Sequence, residues 1–93
     1  MSATLGGLLR QAREALKMPR REVCLLVSVS QEHFRKIEEN ESRPSPDLLI
    51  KLLDALDLND DEQQDAWVLL AWSYLPPEVQ AFVNITPASQ GRT

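Results

Sequence analysis

The stretch that most constrains the fold spans residues 23–40, VCLLVSVSQEHFRKIEEN, and it changes character halfway. Its first seven residues contain three valines and almost no polar side chain, as a buried strand would. The remainder is rich in charge and carries the apolar pair Phe34 and Ile37 one helical turn apart. One half therefore favours a strand and the other half favours a helix.

The valine-rich half is also compatible with a short buried helix. The apolar residues that share one helical face are Val23, Cys24 and Val27. Pro19 suits the first position of such a helix, and Ser28 with Val29 would form the break that ends it. Ser30 is a good N-cap for the next helix, which we expect to run to about Glu39. The stretch then predicts two short helices joined by a tight turn.

Helical signals continue before and after this stretch. Thr4 is placed to cap a first helix that ends near Lys17. Its apolar positions recur at three- and four-residue steps and are Leu5, Leu8, Leu9, Ala12 and Leu16. Asn40 tolerates the left-handed conformation that ends helices, and after a loop Ser45 and Pro46 begin a leucine-rich fourth helix. Four helices are therefore predicted in the first 58 residues.

The second half of the chain predicts two further helices. Asn59 or Asp60 begins a fifth helix with acidic residues in its first turn, where the helix dipole favours them. The apolar face predicted for this helix is Ala66, Trp67, Leu70 and Ala71. The prolines at 76–77 stop it, and a short final helix would cover residues 78–83. We expect a flexible tail over residues 84–93, because their composition is polar.

Composition excludes several classes of protein. One cysteine and one histidine in 93 residues allow no intramolecular disulfide and supply no zinc ligand set, so we expect neither a metal nor a cofactor. No catalytic constellation is recognisable, which argues against an enzyme. No segment reaches the roughly 18–20 apolar residues of a membrane span, and the N-terminus does not resemble a signal peptide. We therefore expect a cytoplasmic protein with no membrane partner.

The charge of the chain is unevenly distributed. The net charge of −4 argues against nucleic acid, because cationic side chains supply most non-specific affinity for phosphate. Residues 1–45, however, hold eight basic and six acidic side chains, whereas residues 46–93 hold two basic and eight acidic ones. The cations therefore lie in the half that contains the two short helices.

The wider sequence resembles the phage Cro/repressor-type (XRE-like) helix-turn-helix family over roughly residues 5–58. The resemblance rests on LGGLLRQAREAL as the first helix, VSVSQEHFRKIEEN as the turn and recognition helix, and RPSPDLLIKLLDALDL as the loop and fourth helix. The apolar residues that would pack the two motif helices together are Val23, Val27, Val29, Phe34 and Ile37. Cys24 stands where the family has a small residue, and Ser28 stands where it has glycine because the turn becomes left-handed.

The resemblance implies an all-α, lambda-repressor-like DNA-binding domain. Residues 1–83 would form one domain, with a DNA-binding core over 4–58 and C-terminal helices over 59–83 that close the core or dimerise. The implied function is transcriptional regulation, most simply repression, by a homodimer on a partly palindromic double-stranded DNA operator. An alternative is that the same fold serves as a protein-interaction module, such as an antitoxin or the partner of an anti-repressor.

A helical wheel of the predicted third helix suggests which residues would read DNA. The face opposite Phe34 and Ile37 carries Glu32, Arg35, Lys36 and Glu39, with Gln31 beside it at the N-terminal end. Gln pairs with adenine, Glu accepts from cytosine, and Arg or Lys reaches guanine or phosphate. The base-reading candidates are therefore Gln31, Glu32, Arg35 and Lys36, of which the resemblance itself implies all but Arg35. One alternative is that Arg35 and Lys36 form only a solvated helix face. Another is that Glu32 and Glu39 repel phosphate and so tune specificity negatively.

Other candidate residues have supporting roles. The resemblance implies phosphate contacts at Arg20 and Arg43, and an ion pair between Arg13 and Glu38. Ser30 and His33, at the start of the third helix, are further phosphate candidates, since helix N-termini bind anions. The alternative for His33 is a structural or solvent-exposed role.

The aromatic residues of the second half suggest an interface. The candidates for a dimer interface are Trp67, Leu70, Ala71, Tyr74 and Phe82. A two-fold dimer places two recognition helices roughly 34 Å apart on one face of DNA. The alternative is that these residues only complete the core of a single chain.

Overall fold

The computed structural model describes residues 4–80, which form helices and connecting turns without a strand. The six helices are α1 (Leu5–Ala15), α2 (Arg20–Val27), α3 (Gln31–Glu38), α4 (Pro46–Ala55), α5 (Asp60–Ser73) and α6 (Pro77–Gln80). The all-α prediction is confirmed, and the valine-rich segment is a helix. The predicted end of the last helix at Val83, the interface candidate Phe82 and the predicted tail over 84–93 lie outside the described residues.

The chain divides into two units. The first ends at Leu58 and contains α1 to α4, and the second begins at Asn59 and contains α5 and α6. In the first unit α2 contacts both α3 and α4, and α1 contacts α3. The two short helices of the central stretch are therefore held by a longer helix on either side of them in sequence.

Side-chain caps explain where most of the helices begin. The hydroxyl of Ser30 accepts the backbone N–H of His33 at 3.0 Å, and Thr4 and Ser45 cap α1 and α4 in the same way. Asn59 and Glu62 form a reciprocal capping box at α5. These starts agree with the predicted ones.

Pro19 is an exception among the helix starts. The prediction placed it at the first helical position, but its backbone is extended (φ −71°, ψ 153°) and it is the N-cap of α2, without a capping side chain. A proline at this point needs no N–H partner, and the helix begins at Arg20.

All four helices of the first unit end at a non-glycine residue in the left-handed conformation. These residues are Lys17, Ser28, Asn40 and Asp57, with φ of 55°, 60°, 63° and 53°. Beyond α3, the N–H of Asn40 donates to the carbonyl of Ile37 and that of Glu41 to the carbonyl of Lys36. This is a Schellman motif, and α1 and α4 end with the same pair of bonds. The left-handed conformations predicted for Ser28 and Asn40 are confirmed.

The core of the first unit is aliphatic with one aromatic ring. Its most deeply buried side chains are Leu9, Val23, Phe34, Ile37, Leu49, Leu52 and Leu56. Leu16 was predicted on the apolar face of the first helix but is exposed. α1 ends at Ala15, so Leu16 is its C-cap residue, and the chain turns left-handed directly after it at Lys17.

A close approach between α1 and the end of α3 fixes the position of α3. A Cβ added to Gly6 would lie 2.4 Å from the carbonyl oxygens of both Ile37 and Glu38. The N–H of Gly6 donates to Oδ1 of Asn40 at 3.0 Å, and Nδ2 of Asn40 donates to the hydroxyl of Thr4 at 3.2 Å. Only glycine allows the two helices to come this close.

In the second unit the predicted apolar face of α5 is partly wrong. The buried residues are Asp65, Ala66, Leu69 and Leu70, whereas Ala71 is exposed and Trp67 is 37% exposed. Residues 66–72 are all apolar, so the sequence period does not distinguish one face of this helix from another.

Candidate nucleic-acid interface

The turn between α2 and α3 brings the two helices together at a fixed angle. Ser28 is left-handed (φ 60°, ψ 48°), which lets the N–H of Val29 donate to the carbonyl of Cys24 at 3.1 Å. The buried thiol of Cys24 donates to the carbonyl of Ser30 at 3.6 Å. Burial raises the pKa of Cys24, and the nearby carboxylate of Glu38 adds to this rise. The thiol is therefore a neutral packing group that joins α2 to the start of α3.

Helix α3 has one buried face and one outward face. Phe34 and Ile37 are buried in the core, while Gln31, Glu32 and Lys36 are exposed. The helix is only eight residues long, so its orientation depends on that buried pair and on its cap. The structure thus brings three of the predicted base-reading residues to one surface.

Arg35, the fourth predicted base reader, lies on the same surface but is surrounded by carboxylates. Its Nη2 donates to Oε1 of Glu32 at 2.6 Å, and its Nε donates to the same oxygen at 3.2 Å. Its Nη1 donates to Oε2 of Glu39 at 2.5 Å and to Oε2 of Glu41 at 3.3 Å. The hydrogen bond from Arg35 lowers the pKa of Glu32, and the carboxylates raise the pKa of Arg35.

The sequence predicted these contacts only in part. Residues 32, 35 and 39 are spaced three and four apart, which is the spacing of ion pairs on a helix surface. Glu41 lies beyond the end of α3, and its approach to Arg35 follows from the left-handed turn at Asn40. Helical periodicity does not predict a contact between a helix residue and a residue beyond the end of that helix.

A buried carboxylate lies behind α3. The side chain of Glu38 has no exposed surface, and its Oε2 accepts from Nε of Arg13 at 2.7 Å. Its Oε1 accepts from Nη2 of Arg13 at 3.3 Å and from Nε of Arg20 at 2.7 Å. The ion pair that the resemblance implied is thus present in the structure, together with a second arginine that the sequence reasoning assigned only to phosphate.

The remaining phosphate candidates lie around α3. Arg43 is exposed in the loop after α3, next to the buried Pro44. His33 is half-buried, and its backbone N–H is the one that Ser30 caps. The hydroxyl of Ser30 is therefore used in the helix cap.

The dimer candidates differ in accessibility. Trp67 is 37% exposed and Tyr74 is 55% exposed, and Ala71 is exposed between them. Leu70 is only 4% exposed, so it offers little surface to a second chain, and its assignment to a dimer interface stays a prediction. Phe82 lies outside the described residues.

Residues 4–80 contain neither a candidate metal site nor a candidate membrane-spanning helix. No group of three His, Cys, Asp or Glu side chains there is arranged to hold a metal ion. None of the helices in that range combines the length and the apolar character that a membrane crossing needs.

Comparison with known proteins identifies the family. Residues 4–67 match the sequence profile of a family described as a helix-turn-helix domain, and the match contains α1 to α4 and the first half of α5. No curated protein and no solved structure shows significant similarity to the chain. The matched region covers well over half of the 93 residues and includes the α2–turn–α3 unit described above. The chain belongs to the helix-turn-helix domain family.

Proposed function

We propose that the protein is a cytoplasmic, sequence-specific DNA-binding regulator of transcription that represses by occupying a partly palindromic operator. One observation carries this proposal: α3 is capped by Ser30 and anchored by Phe34 and Ile37, and its outward face is polar. A helix held in this way fits the major groove, where side chains at its N-terminal end reach base edges.

The outward residues of α3 have the chemistry of base readers. Gln31 has both a donor and an acceptor for adenine, and Glu32 accepts from the amino group of cytosine. Lys36 can donate to guanine or phosphate, and Arg35 can donate to guanine. Arg43 in the following loop and Arg20 at the start of α2 would contact the DNA backbone and fix the register of the protein.

The exposed side chains of α5 support a homodimer. Trp67 and Ala71 lie four residues apart on one side of α5, and Tyr74 follows three residues later at its C-cap. Exposed aromatic residues of this kind are typical of association surfaces. A homodimer would supply two copies of α3, as the two halves of a partly palindromic operator require.

Selection of duplexes from a random pool tests the DNA-binding proposal. We expect one enriched sequence whose affinity falls steeply with salt. Gln31→Ala should lower discrimination at one base position by about 1–3 kcal/mol, whereas Arg43→Ala should weaken all sequences alike. Gln11→Ala, which truncates an exposed glutamine of α1, is the matched control. Equal binding to every duplex, unchanged by these substitutions, would contradict the proposal.

The mass of the protein in solution tests the homodimer. We expect a dimer that Trp67→Ala weakens and Tyr74→Asp abolishes, because a carboxylate would be buried unpaired at the interface. Ile50→Asp, which places the same charge at an exposed apolar position of α4, is the control. A dimer that survives both substitutions would move the interface away from α5.

One observation favours a second function, that of a protein-interaction module such as an antitoxin or an anti-repressor's partner. Leu25 and Leu26 on α2 are 75% and 60% exposed, although they are adjacent and apolar. Such a pair suits a protein contact better than a phosphate contact. Failure of the chain to select any duplex, even at low salt, would favour this second function.

A further inference from the structure

The guanidinium of Arg35 donates hydrogen bonds to three neighbouring carboxylates at the outward surface of α3. Each of its three nitrogens donates to at least one of them: Nε and Nη2 to Glu32, and Nη1 to Glu39 and Glu41. A guanidinium has five N–H donors, so little of its hydrogen-bonding capacity is left for a further acceptor. We call Glu32, Glu39 and Glu41 the carboxylate ring of Arg35.

The charge around this ring is unfavourable for phosphate. On the outward surface, three carboxylates face two cations, Arg35 and Lys36. The whole of residues 4–58 carries nine basic and nine acidic side chains and so has no net charge. Sequence-independent affinity for DNA comes from cations that replace the counterions of phosphate. We therefore expect the first unit to have little sequence-independent affinity for DNA.

We propose that Glu39 and Glu41 are specificity-determining residues that withhold Arg35 from phosphate and so suppress sequence-independent binding. The inference rests on the proposed DNA-binding function. A phosphate offers only acceptors, so it must compete with the carboxylates for Arg35 and meets their negative charge as it approaches. A G·C base pair instead offers acceptors on guanine and a donor on cytosine, which satisfy Arg35 and Glu32 together.

The position of the two residues assigns them this role. Glu32 lies at the N-terminal end of α3, where side chains reach the bases most deeply, so it is itself a candidate reader. Glu39 and Glu41 lie at and beyond the C-terminal end of the helix and contact the opposite nitrogen of Arg35. They act through Arg35 and are positioning residues.

Binding to a random-sequence duplex tests the inference without knowledge of an operator. The variant is Glu39→Gln with Glu41→Gln, and wild type and variant are titrated at several salt concentrations. We expect at least about tenfold tighter binding of the variant, and a slope of log affinity against log salt that is steeper by about 0.9, as one added phosphate contact gives. Thermal unfolding checks that each protein is folded.

A matched control separates this effect from the change in net charge. Glu14→Gln with Asp54→Asn removes two negative charges, as the Glu39 and Glu41 substitutions do. It also frees an arginine, because Glu14 pairs with Arg10 at 3.5 Å on the exposed surface of α1. We expect this control to tighten binding less than about threefold.

Adding Arg35→Gln to the variant should remove the gain, since the two glutamates act through that residue. A gain no larger than that of the control, or one that survives Arg35→Gln, overturns the inference. The proposed function has a separate test, because it fails when wild type selects no sequence from a random pool, whatever the variants do on the random duplex.

Discussion

Nε of Arg20 lies 2.7 Å from Oε1 of the fully buried carboxylate of Glu38. Arg13 donates to the same carboxylate, so one acidic side chain of α3 links that helix to both α1 and α2. Arg20 therefore stabilises the helix-turn-helix unit in addition to the phosphate contact that we propose for it. Substitution of Arg20 should change both stability and DNA affinity, whereas substitution of Arg43 tests phosphate binding more cleanly.

Glu38→Gln should lower the free energy of unfolding by about 3–5 kcal/mol, because it leaves Arg13 largely buried without a counter-charge. Urea denaturation followed by circular dichroism measures this change. Glu22→Gln, at an exposed position of α2, should change the free energy by less than about 0.5 kcal/mol. Equal effects of the two substitutions would mean that the buried ion pairs do not stabilise the fold.

Gly6→Ala should destabilise the protein by about 1–3 kcal/mol, since the added Cβ would overlap the carbonyl oxygens of Ile37 and Glu38 and force α1 away from α3. Gly7→Ala, on the same turn of α1, is the matched control. There the higher helix propensity of alanine should raise stability by about 0.5–1 kcal/mol. The midpoints of thermal unfolding should therefore move in opposite directions, and a shared direction would argue against the close approach.

Ser28→Gly should stabilise the protein by about 0.5–1 kcal/mol, because Ser28 is exposed and left-handed at φ 60°. Asn40 has nearly the same backbone angle, but its side chain bonds Gly6 and Thr4. For Asn40→Gly, the loss of these hydrogen bonds should therefore cancel or exceed the stability gained from glycine at a left-handed position. Denaturant midpoints of the two variants compare these cases, and a destabilised Ser28→Gly protein would contradict the argument from backbone strain.

The thiol of Cys24 should react with Ellman's reagent more slowly in the folded protein than in urea, by more than about tenfold. Burial and the charge of Glu38 raise its pKa, so little thiolate is present at neutral pH. Because the pKa of this thiol is higher in the folded state, Cys24 makes a pH-dependent contribution to the free energy of unfolding. This contribution is fully present below the pKa of the unfolded state and is lost as pH rises through the pKa of the folded state. Equal reaction rates in both states would show that α2 does not protect the thiol.

Local sequence signals predicted most of the secondary structure. Ser30, Ser45 and Asn59 cap helices where expected, because a cap depends on a side chain and a backbone N–H only three residues apart. The break at Ser28 was also predicted, but its left-handed turn was implied by the resemblance and not by a capping side chain. The period of apolar residues likewise identified Phe34 and Ile37 as the buried side of α3.

Contacts between distant residues were predictable only where a resemblance supplied them. The pair of Arg13 and Glu38 was expected in this way, but the approach of Arg20 to the same carboxylate was not. The buried face of α5 was also misjudged, because a continuous apolar run from residue 66 to 72 has no period that selects one side.

The sequence by itself determined the helices, their caps and the outward polar face of α3, since all of these depend on residues within a few positions of one another. The tertiary structure alone decided that Gly6 lies against the end of α3 and that Arg20 shares the carboxylate of Glu38. It also decided that the turn at Asn40, which the sequence did predict, brings Glu41 back to Arg35. These contacts depend on how the chain turns between helices and how closely the helices pack, and neither property has a signature in the spacing of residues.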